Sequence, residues 1–325
     1  LDFFPILCHY TSMKNTHIEH PEDLILDGKD AALNVINFLE FIYEGDAGNM
    51  ASVKYDGAPA VVFGTNPENG KFFVGTKSVF NKKTPKINYT VEDIRANHES
   101  ENLRNVLTLC LMYLPKVNGI FQGDFMGVGN GNVAITPNTI TYKFLKPIDE
   151  QIVFALHTQY RGDTIATAVS EPYNAVWHCN DVKFLSVNAS YIQPSNNFLK
   201  VYANHARYLM EDIDFPEFKT KVAKANVKKT INSYIREGKE LNVFNLADDT
   251  GIDWKLFALY NLIITMKNVA AESYFAREMC VCLIGDELAK HEGIVVKNCY
   301  GTFKIVDRQQ FSRANFNNGR FATAN

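Results

Sequence analysis

The chain has 325 residues, 46% of them hydrophobic, enough to bury a sizeable core in one large domain or two modest ones. Its formal net charge of −3 excludes a global polycation, so any contact with nucleic acid has to come from a local basic patch. Its six cysteines contain no CxxC pair. Cys280 and Cys282 stand one residue apart, a spacing that fits neither a zinc knuckle nor a secreted disulfide framework, and the cysteines read as thiols of a reducing compartment such as the cytoplasm.

The opening "LDFFPILC" is apolar but short and has no basic leader, so it does not read as a signal peptide; residues 1–12 read as an extension before Met13. No apolar run approaches the ~20 residues of a membrane span, and no membrane partner is expected. "DAALNVINFLEFIYEG" places Ala32, Val35, Ile36, Leu39, Ile42 and Tyr43 at helical spacing, with Gly45 as the C-cap. Residues 51–90 read as β: "SVKYDGAPAVVFGT" as a hairpin or bent strand, "NPENG" as a turn and "KFFVGTKSVF" as the next strand. "VEDIRANHESENLRNVLTLCLMYLP" reads as helical up to Pro115. "NGIFQGDFMGVG" reads as a strand ending in a Gly-rich loop, followed by the strands "NTITYKF" and "QIVFALHTQY" and one or two more within 171–195. From 196 to 290 the pattern turns helical. "NNFLKVYANHARYLMEDI" carries a stripe of Phe198, Val201, Tyr202, His205, Tyr208 and Leu209, and "DWKLFALYNLIITMKNVAAESYFAREM" is apolar nearly all round and expected to be buried. The β pattern returns at "HEGIVVKNCYGTFKIVDRQQF".

Four short strands end in charged or small residues: Lys54-Tyr55-Asp56-Gly57, Gln122-Gly123-Asp124-Phe125, Glu292 to Lys297, and Phe303 to Asp307. Each is weak alone, but together they keep an order. KYDG, QGDF, EGIVVK and FKIVD resemble, in sequence, the KxDG strand, the acidic-Gly-acidic strand, the EGxVxK strand and the lysine-bearing strand of the covalent nucleotidyltransferase superfamily. That superfamily comprises ATP-dependent DNA ligases, RNA ligases and mRNA capping enzymes. "VGTKS" is similar to a further motif, with Lys77 in place of arginine. The wider text, "THIEHPEDLI", "KYDGAPA", "KFFVGTKSVFNK" and "HEGIVVK", looks like ligase-like proteins of tailed bacteriophages.

The resemblance implies an α+β fold: a ligase-type, ATP-grasp-like nucleotidyltransferase (adenylation) domain of antiparallel sheets flanked by helices. It assigns 13–195 and 291–325 to that domain and 196–290 to a helical insertion. It leaves no oligonucleotide-binding barrel, because only about 20 residues follow Lys304. Lys54 is then the nucleophile that forms a lysyl–AMP, with Lys297 and Lys304 as catalytic phosphate clamps. Asp56, Gly57, Lys77, Asp124 and Phe154 bind the nucleotide, Phe154 (or Leu156) stacking on the base. Glu292 and Asp124 hold Mg²⁺, which Mn²⁺ can replace. Physical chemistry agrees: a lysine amine becomes nucleophilic when nearby cations and desolvation favour its neutral form, and phosphoryl chemistry depends chiefly on neutralising phosphate charge. The chain departs from the family pattern at Pro59, Asp124 and Val306, where an Arg or Asn, a Glu and a second lysine are usual.

The segment "FKTKVAKANVKKTINSYIREGKE" sets Lys221, Lys224 and Lys228 on one helical face, a candidate nucleic-acid patch or an ordinary solvated face. His157, His178, His205 and His291 show no metal-ligand spacing and read as structural, with no zinc expected. The sequence therefore reads as an ATP-dependent polynucleotide ligase-like nucleotidyltransferase in the cytoplasm of an infected host cell. RNA is preferred over nicked DNA because the barrel is missing. Two alternatives remain open: a protein that kept the fold and binds nucleotide or nucleic acid without ligation, and a nucleotidyltransferase acting on a protein or small molecule.

Overall fold

Long apolar helices and short alternating strands sort into two compact units in the computed structural model, which describes residues 18–309 and residue 311. One unit, here the helical unit, takes Ile18–Lys54, Asn188–Arg277 and the described part of Lys290–Asn325; the other, the sheet unit, takes Tyr55–Val187 and Glu278–Ala289. Within the described residues the chain passes between them after Lys54, Val187, Arg277 and Ala289. The architecture is mixed α+β, and no barrel occurs among the described residues.

The helical unit contains α1 (Pro21–Leu24), α2 (Lys29–Phe41), β1 (Met50–Lys54), β10 (Ala189–Tyr191), α5 (Phe198–Met210), α6 (Lys221–Glu237), α7 (Val243–Thr250), α8 (Trp254–Ala271), β11 (Tyr274–Ala276), β14 (Gly293–Asn298) and β15 (Gly301–Val306). Helix α8 buries Leu256, Phe257, Leu259, Tyr260, Ile263, Met266 and Ala270 on one half of its circumference, whereas its text reads as apolar nearly all round; Trp254, Thr265 and Asn268 on the other half are exposed. Helix α2 buries Ala32, Val35, Ile36, Phe38 and Leu39 at the spacing the sequence shows. Helix α6 begins at Thr220, whose hydroxyl accepts from the Ala223 N–H at 3.1 Å, and stops at Gly238 in the left-handed conformation. The antiparallel sheet β1-β14-β15 lays Ile294, Val296, Phe303 and Ile305 on this helical core.

Helix α5 turns the other way round from the stripe expected of it. It buries Leu199, Ala203, Ala206 and Met210, while Phe198, Val201 and Tyr208 are 49, 59 and 72% exposed. Small alanines let α5 lie close to α2 and α8, and that close packing outweighs the burial of bulkier side chains on the opposite face.

The sheet unit contains β2 (Ala60–Thr65), β3 (Phe72–Gly75), α3 (Val91–Asn97), α4 (Glu101–Tyr113), β4 (Ile120–Val128), β5 (Asn132–Ile135), β6 (Thr141–Ile148), β7 (Ile152–Arg161), β8 (Val169–Pro172), β9 (Val182–Phe184), β12 (Cys280–Ile284) and β13 (Glu287–Ala289). One sheet runs β3-β2-β4-β7-β8, with β9 added parallel to β7; a second runs β13-β12-β6-β5. Val61, Phe63, Phe121, Phe125, Phe154 and Leu156 face helices α3 and α4 through Ile94, Val106, Leu107 and Cys110. The opposite face carries Val62, Ile120 and Tyr160 with Val79 and Ile165.

Several boundaries differ from the sequence reading. "KFFVGTKSVF" is a strand only to Gly75; the Thr76 hydroxyl then accepts from the Ser78 N–H and starts a 3-10 turn, Lys77–Phe80. The single helix read over 91–115 is two, because Ser100 caps a second start by accepting from the Leu103 N–H. Strands β11, β12 and β13 lie inside the span read as helical. The grouping differs as well. The span 196–290 was set apart as an insertion, yet α5 and α8 share one core with α2, β14 and β15, while β12 hydrogen-bonds to β6. A helix as apolar as α8 cannot stand alone in water, so it recruits the strands nearest in the fold.

Candidate functional site

Register places three lysines on one sheet face. Lys54 on β1 pairs with Gly293 on β14, which pairs with Val306 on β15; Ser52, Val295 and Lys304 form the next row, and Met50, Lys297 and Thr302 the one after. Paired residues of antiparallel strands project to the same side, and alternate rows share it. Lys54, Lys304 and Lys297 therefore occupy the face opposite the helical core, Lys54 and Lys304 being two strands and one such row apart, about 12 Å between Cα atoms for ideal spacing. The Lys54 ammonium donates to the Glu292 carboxylate, side chains that are 28 and 17% exposed. Gly293 allows this: a Cβ there would lie 2.3 Å from the Ile305 carbonyl oxygen and 2.8 Å from a Val306 methyl, at φ +158°. The glycine of EGIVVK is thus set by the close approach of β15.

Behind β15 the sequence hid a buried charge cluster. Lys267, 1% exposed near the C-terminal end of α8, donates to Glu22 at 2.6 Å. Arg308, just past β15, donates to Glu22 at 3.2 Å, to Asp23 at 2.8 Å and to the Tyr260 hydroxyl at 3.0 Å, and also reaches Asn232. The Lys304 N–H donates to the Glu19 carbonyl at 3.2 Å, fastening the residue 19–23 segment along the free side of β15. The His20 ring beside this cluster is held neutral: burial first, then Arg308 and Lys267, with Lys304 adding and Asp23 opposing, push its pKa down to about 2. The visible signal was Lys267 among the apolar residues of α8, which demands a buried acid, and the "PED" that opens α1 supplies it.

In the sheet unit, Asp124 stands on β4 between Ala60 of β2 and Ala155 of β7. A register shift pairs Gln122 with Thr158 and Gly123 with Leu156, leaving His157 as the extra residue of a bulge. The bulge brings His157 Nε2 to 3.6 Å from Asp124 Oδ2, and Nδ1 to 2.7 Å from the Thr158 hydroxyl. His157 was read as structural; the bulge that places it beside Asp124 has no sequence signature. Gly57 is fixed by packing, since a Cβ would lie 2.4 Å from Asp124 Cβ and 2.7 Å from Met126 Sδ. Lys77 is exposed at the head of its 3-10 turn.

Three expected roles need correction. The Asp56 carboxylate is occupied within its own unit: it accepts from Asn138 at 2.9 Å and from the Thr139 and Ile140 N–H groups at 2.7 and 2.9 Å, while its own N–H donates to the Tyr142 hydroxyl. It anchors the 138–140 loop. Phe154 is fully buried, edge-on to Phe63 at 5.6 Å and to Phe184 at 6.2 Å, and Leu156 is buried with it, so neither offers a face to a base. Both sit on the sheet face that α3 and α4 cover. Of the basic stripe, Lys224 pairs with Asp27, and Lys228 with Glu19 at 3.3 Å. Lys221 and Lys224 line a concavity of about 500 Å³ with Asp27, Glu217, Phe215 and Phe218, where acids and bases are mixed.

Each unit offers a carboxylate beside a cationic or imidazole partner, Glu292 in one and Asp124 in the other. Such hard oxygen donors suit Mg²⁺, which is held by one or two carboxylates and keeps several waters. No helix among the described residues is long and apolar enough to cross a membrane. Neither a curated protein nor a solved structure matches the chain. One family profile does, over residues 15–251 and 242–320, together most of the chain. The chain is therefore a member of DUF6267, a family of unknown function.

Proposed function

We propose that this protein is an ATP-dependent nucleotidyltransferase of the covalent ligase type, acting through a lysyl–AMP on Lys54 and built on a nucleotidyltransferase-type fold. The observation that carries this reading is the shared face of Lys54, Lys297 and Lys304, with Glu292 hydrogen-bonded to Lys54. A triphosphate carries about four negative charges at neutral pH, and converging lysines neutralise the charge that builds on the α-phosphate during attack. Lys54 Nζ forms the N–P bond with its lone pair, the α–β bridging P–O bond breaks, and its electron pair leaves on pyrophosphate. The ammonium proton must depart first, and the Glu292 carboxylate is the acceptor within reach. Glu292 would hold Mg²⁺, which supplies Lewis-acid polarisation of the phosphate when bound. Lys77 and Asp124 are assigned to phosphate and ribose by the motif order.

Two kinds of acceptor are favoured by different observations. A polynucleotide, RNA or nicked DNA, is favoured by the motif order. The ion pairs of Lys224 and Lys228 favour instead a protein or small-molecule acceptor, because they neutralise the one basic stripe the sequence shows. The test is incubation with α-labelled ATP and Mg²⁺ followed by a denaturing gel. An acid-labile adduct that Lys54→Ala abolishes while the fold is retained is expected. Wild-type labelling in that variant, or no labelling of the wild type at any Mg²⁺ concentration, overturns the reading. Nicked duplex, single-stranded RNA and protein substrates then separate the acceptors.

A further inference from the structure

The sequence spacing of Cys280 and Cys282 fits no zinc knuckle, but strand geometry gives the pair another use. Both lie on β12 within the sheet unit, and residues two apart on a strand project to the same face. Cys282 pairs with Tyr142 and Cys280 with Phe144 on β6, so both thiols turn toward the buried side of that sheet. Their sulfurs lie within 4.8 Å of each other and the thiols are hydrogen-bonded, and neither is in a disulfide. An extended strand holds Cα atoms two residues apart at about 6.8 Å, the upper limit for a disulfide. A metal ion needs less: two sulfurs at ~2.3 Å from one tetrahedral Zn²⁺ stand about 3.8 Å apart. The strand thus spaces the pair for chelation better than for bridging.

The surroundings favour a cation. Burial first, and then Glu278, Cys280 and Cys282 nearby, disfavour ionisation of the Tyr55 hydroxyl, which donates to the Ser186 carbonyl at 2.8 Å. Glu278 accepts from the Ser186 N–H at 3.1 Å and has Lys183 at 3.7 Å as its cation. The Lys183 ammonium is itself drawn over the Phe144 ring, 5.6 Å from its centroid. Cys282 is buried and Cys280 half-buried, which gives the pair an outer thiol through which an ion can enter.

We propose that Cys280 and Cys282 form a two-thiolate chelating site for a soft divalent cation of the zinc class. Binding exchanges two thiol protons for the ion and leaves two coordination positions to water or to an added ligand. Soft thiolates select such ions over Mg²⁺, so this site is chemically distinct from the carboxylate assigned to Mg²⁺.

The test uses the reduced full chain without substitutions first. With one equivalent of Zn²⁺, alkylation of Cys280 and Cys282 read by mass spectrometry should slow at least about tenfold, while exposed Cys299 reacts as before. Equal alkylation rates with and without Zn²⁺ overturn the proposal. Cd²⁺ should also give a thiolate charge-transfer band in the near ultraviolet. Cys280→Ser, at the half-buried position, should abolish that band, and Cys179→Ser/Cys299→Ser should keep it. A band that survives in Cys280→Ser and disappears in the other variant assigns the ion elsewhere and refutes the site.

Discussion

The neutral His20 ring makes the stability of the helical unit depend on pH in a way that can be separated from the carboxylates. Its pKa lies at about 2 in the fold against 6.5 for the ordinary side chain. The folded value is the lower one, so as pH falls the unfolded chain takes up the proton first. The stabilisation is fully present above pH 6.5 and is lost progressively as pH falls from there toward 2. Each pH unit inside that window removes about 1.36 kcal/mol, so by about pH 5 the loss is about 2 kcal/mol. The cause is geometric: Arg308, Lys267 and Lys304 surround the ring with positive charge, only Asp23 opposes them, and Nδ1 has no hydrogen-bond partner among the described residues. His20→Gln removes the titration and keeps a polar side chain of similar reach. Urea unfolding of both proteins at about pH 7.5, 6 and 5 isolates the histidine, since the carboxylates are common to both. The wild type should lose about 2 kcal/mol more than the variant over that range, or roughly 3 °C in melting temperature for a chain of this size. Parallel loss in the two proteins would refute the buried neutral ring.

Lys267→Met should cost about 3–5 kcal/mol, because it strips Glu22 of its nearest cation inside the core; Glu22→Gln/Lys267→Met should recover much of that in the same denaturant titration. Asp56→Ala removes the acceptor of two backbone N–H groups and an amide, an expected loss of about 3 kcal/mol, with hydrogen exchange at the Thr139 and Ile140 amides rising first. Phe154→Ala should destabilise by about 3–5 kcal/mol as a core truncation. Weakened ATP binding with an unchanged melting temperature would instead place Phe154 in the nucleotide site.

The elements that local chemistry fully specifies were legible. The apolar period of α2 and the apolarity of α8 are properties of their own text; α2 buries the face that text predicts, and α8 buries one half of its apolar surface. The face of α5 was not, because it is chosen by its neighbours: two alanines that allow close helix packing decide it, and the exposed Phe198, Val201 and Tyr208 look, in one dimension, like the better core. Strands β12 and β13 were missed for a related reason. "CVCLIGDELA" is a short hairpin whose partner, β6, lies more than a hundred residues earlier, and β pairing across such a distance leaves no local period to read.

The same division runs through the candidate site. Motif order singled out Lys54, Glu292, Lys297 and Lys304, and strand alternation predicts which face each takes once the three strands are known to pair; the pairing itself needed the fold. Asp56 and Phe154 belong to the same motifs, yet one anchors a loop and the other fills a core. A motif records which residue types recur at a spacing, and recurrence follows from folding as readily as from chemistry. Gly57 and Gly293 show this most directly, since each is required by a backbone or side chain within 3 Å of the missing Cβ. The residues with the stronger claim to chemistry are those the fold leaves half-exposed with a charge held beside them, and Lys54 with Glu292 meets that condition while Asp56 does not.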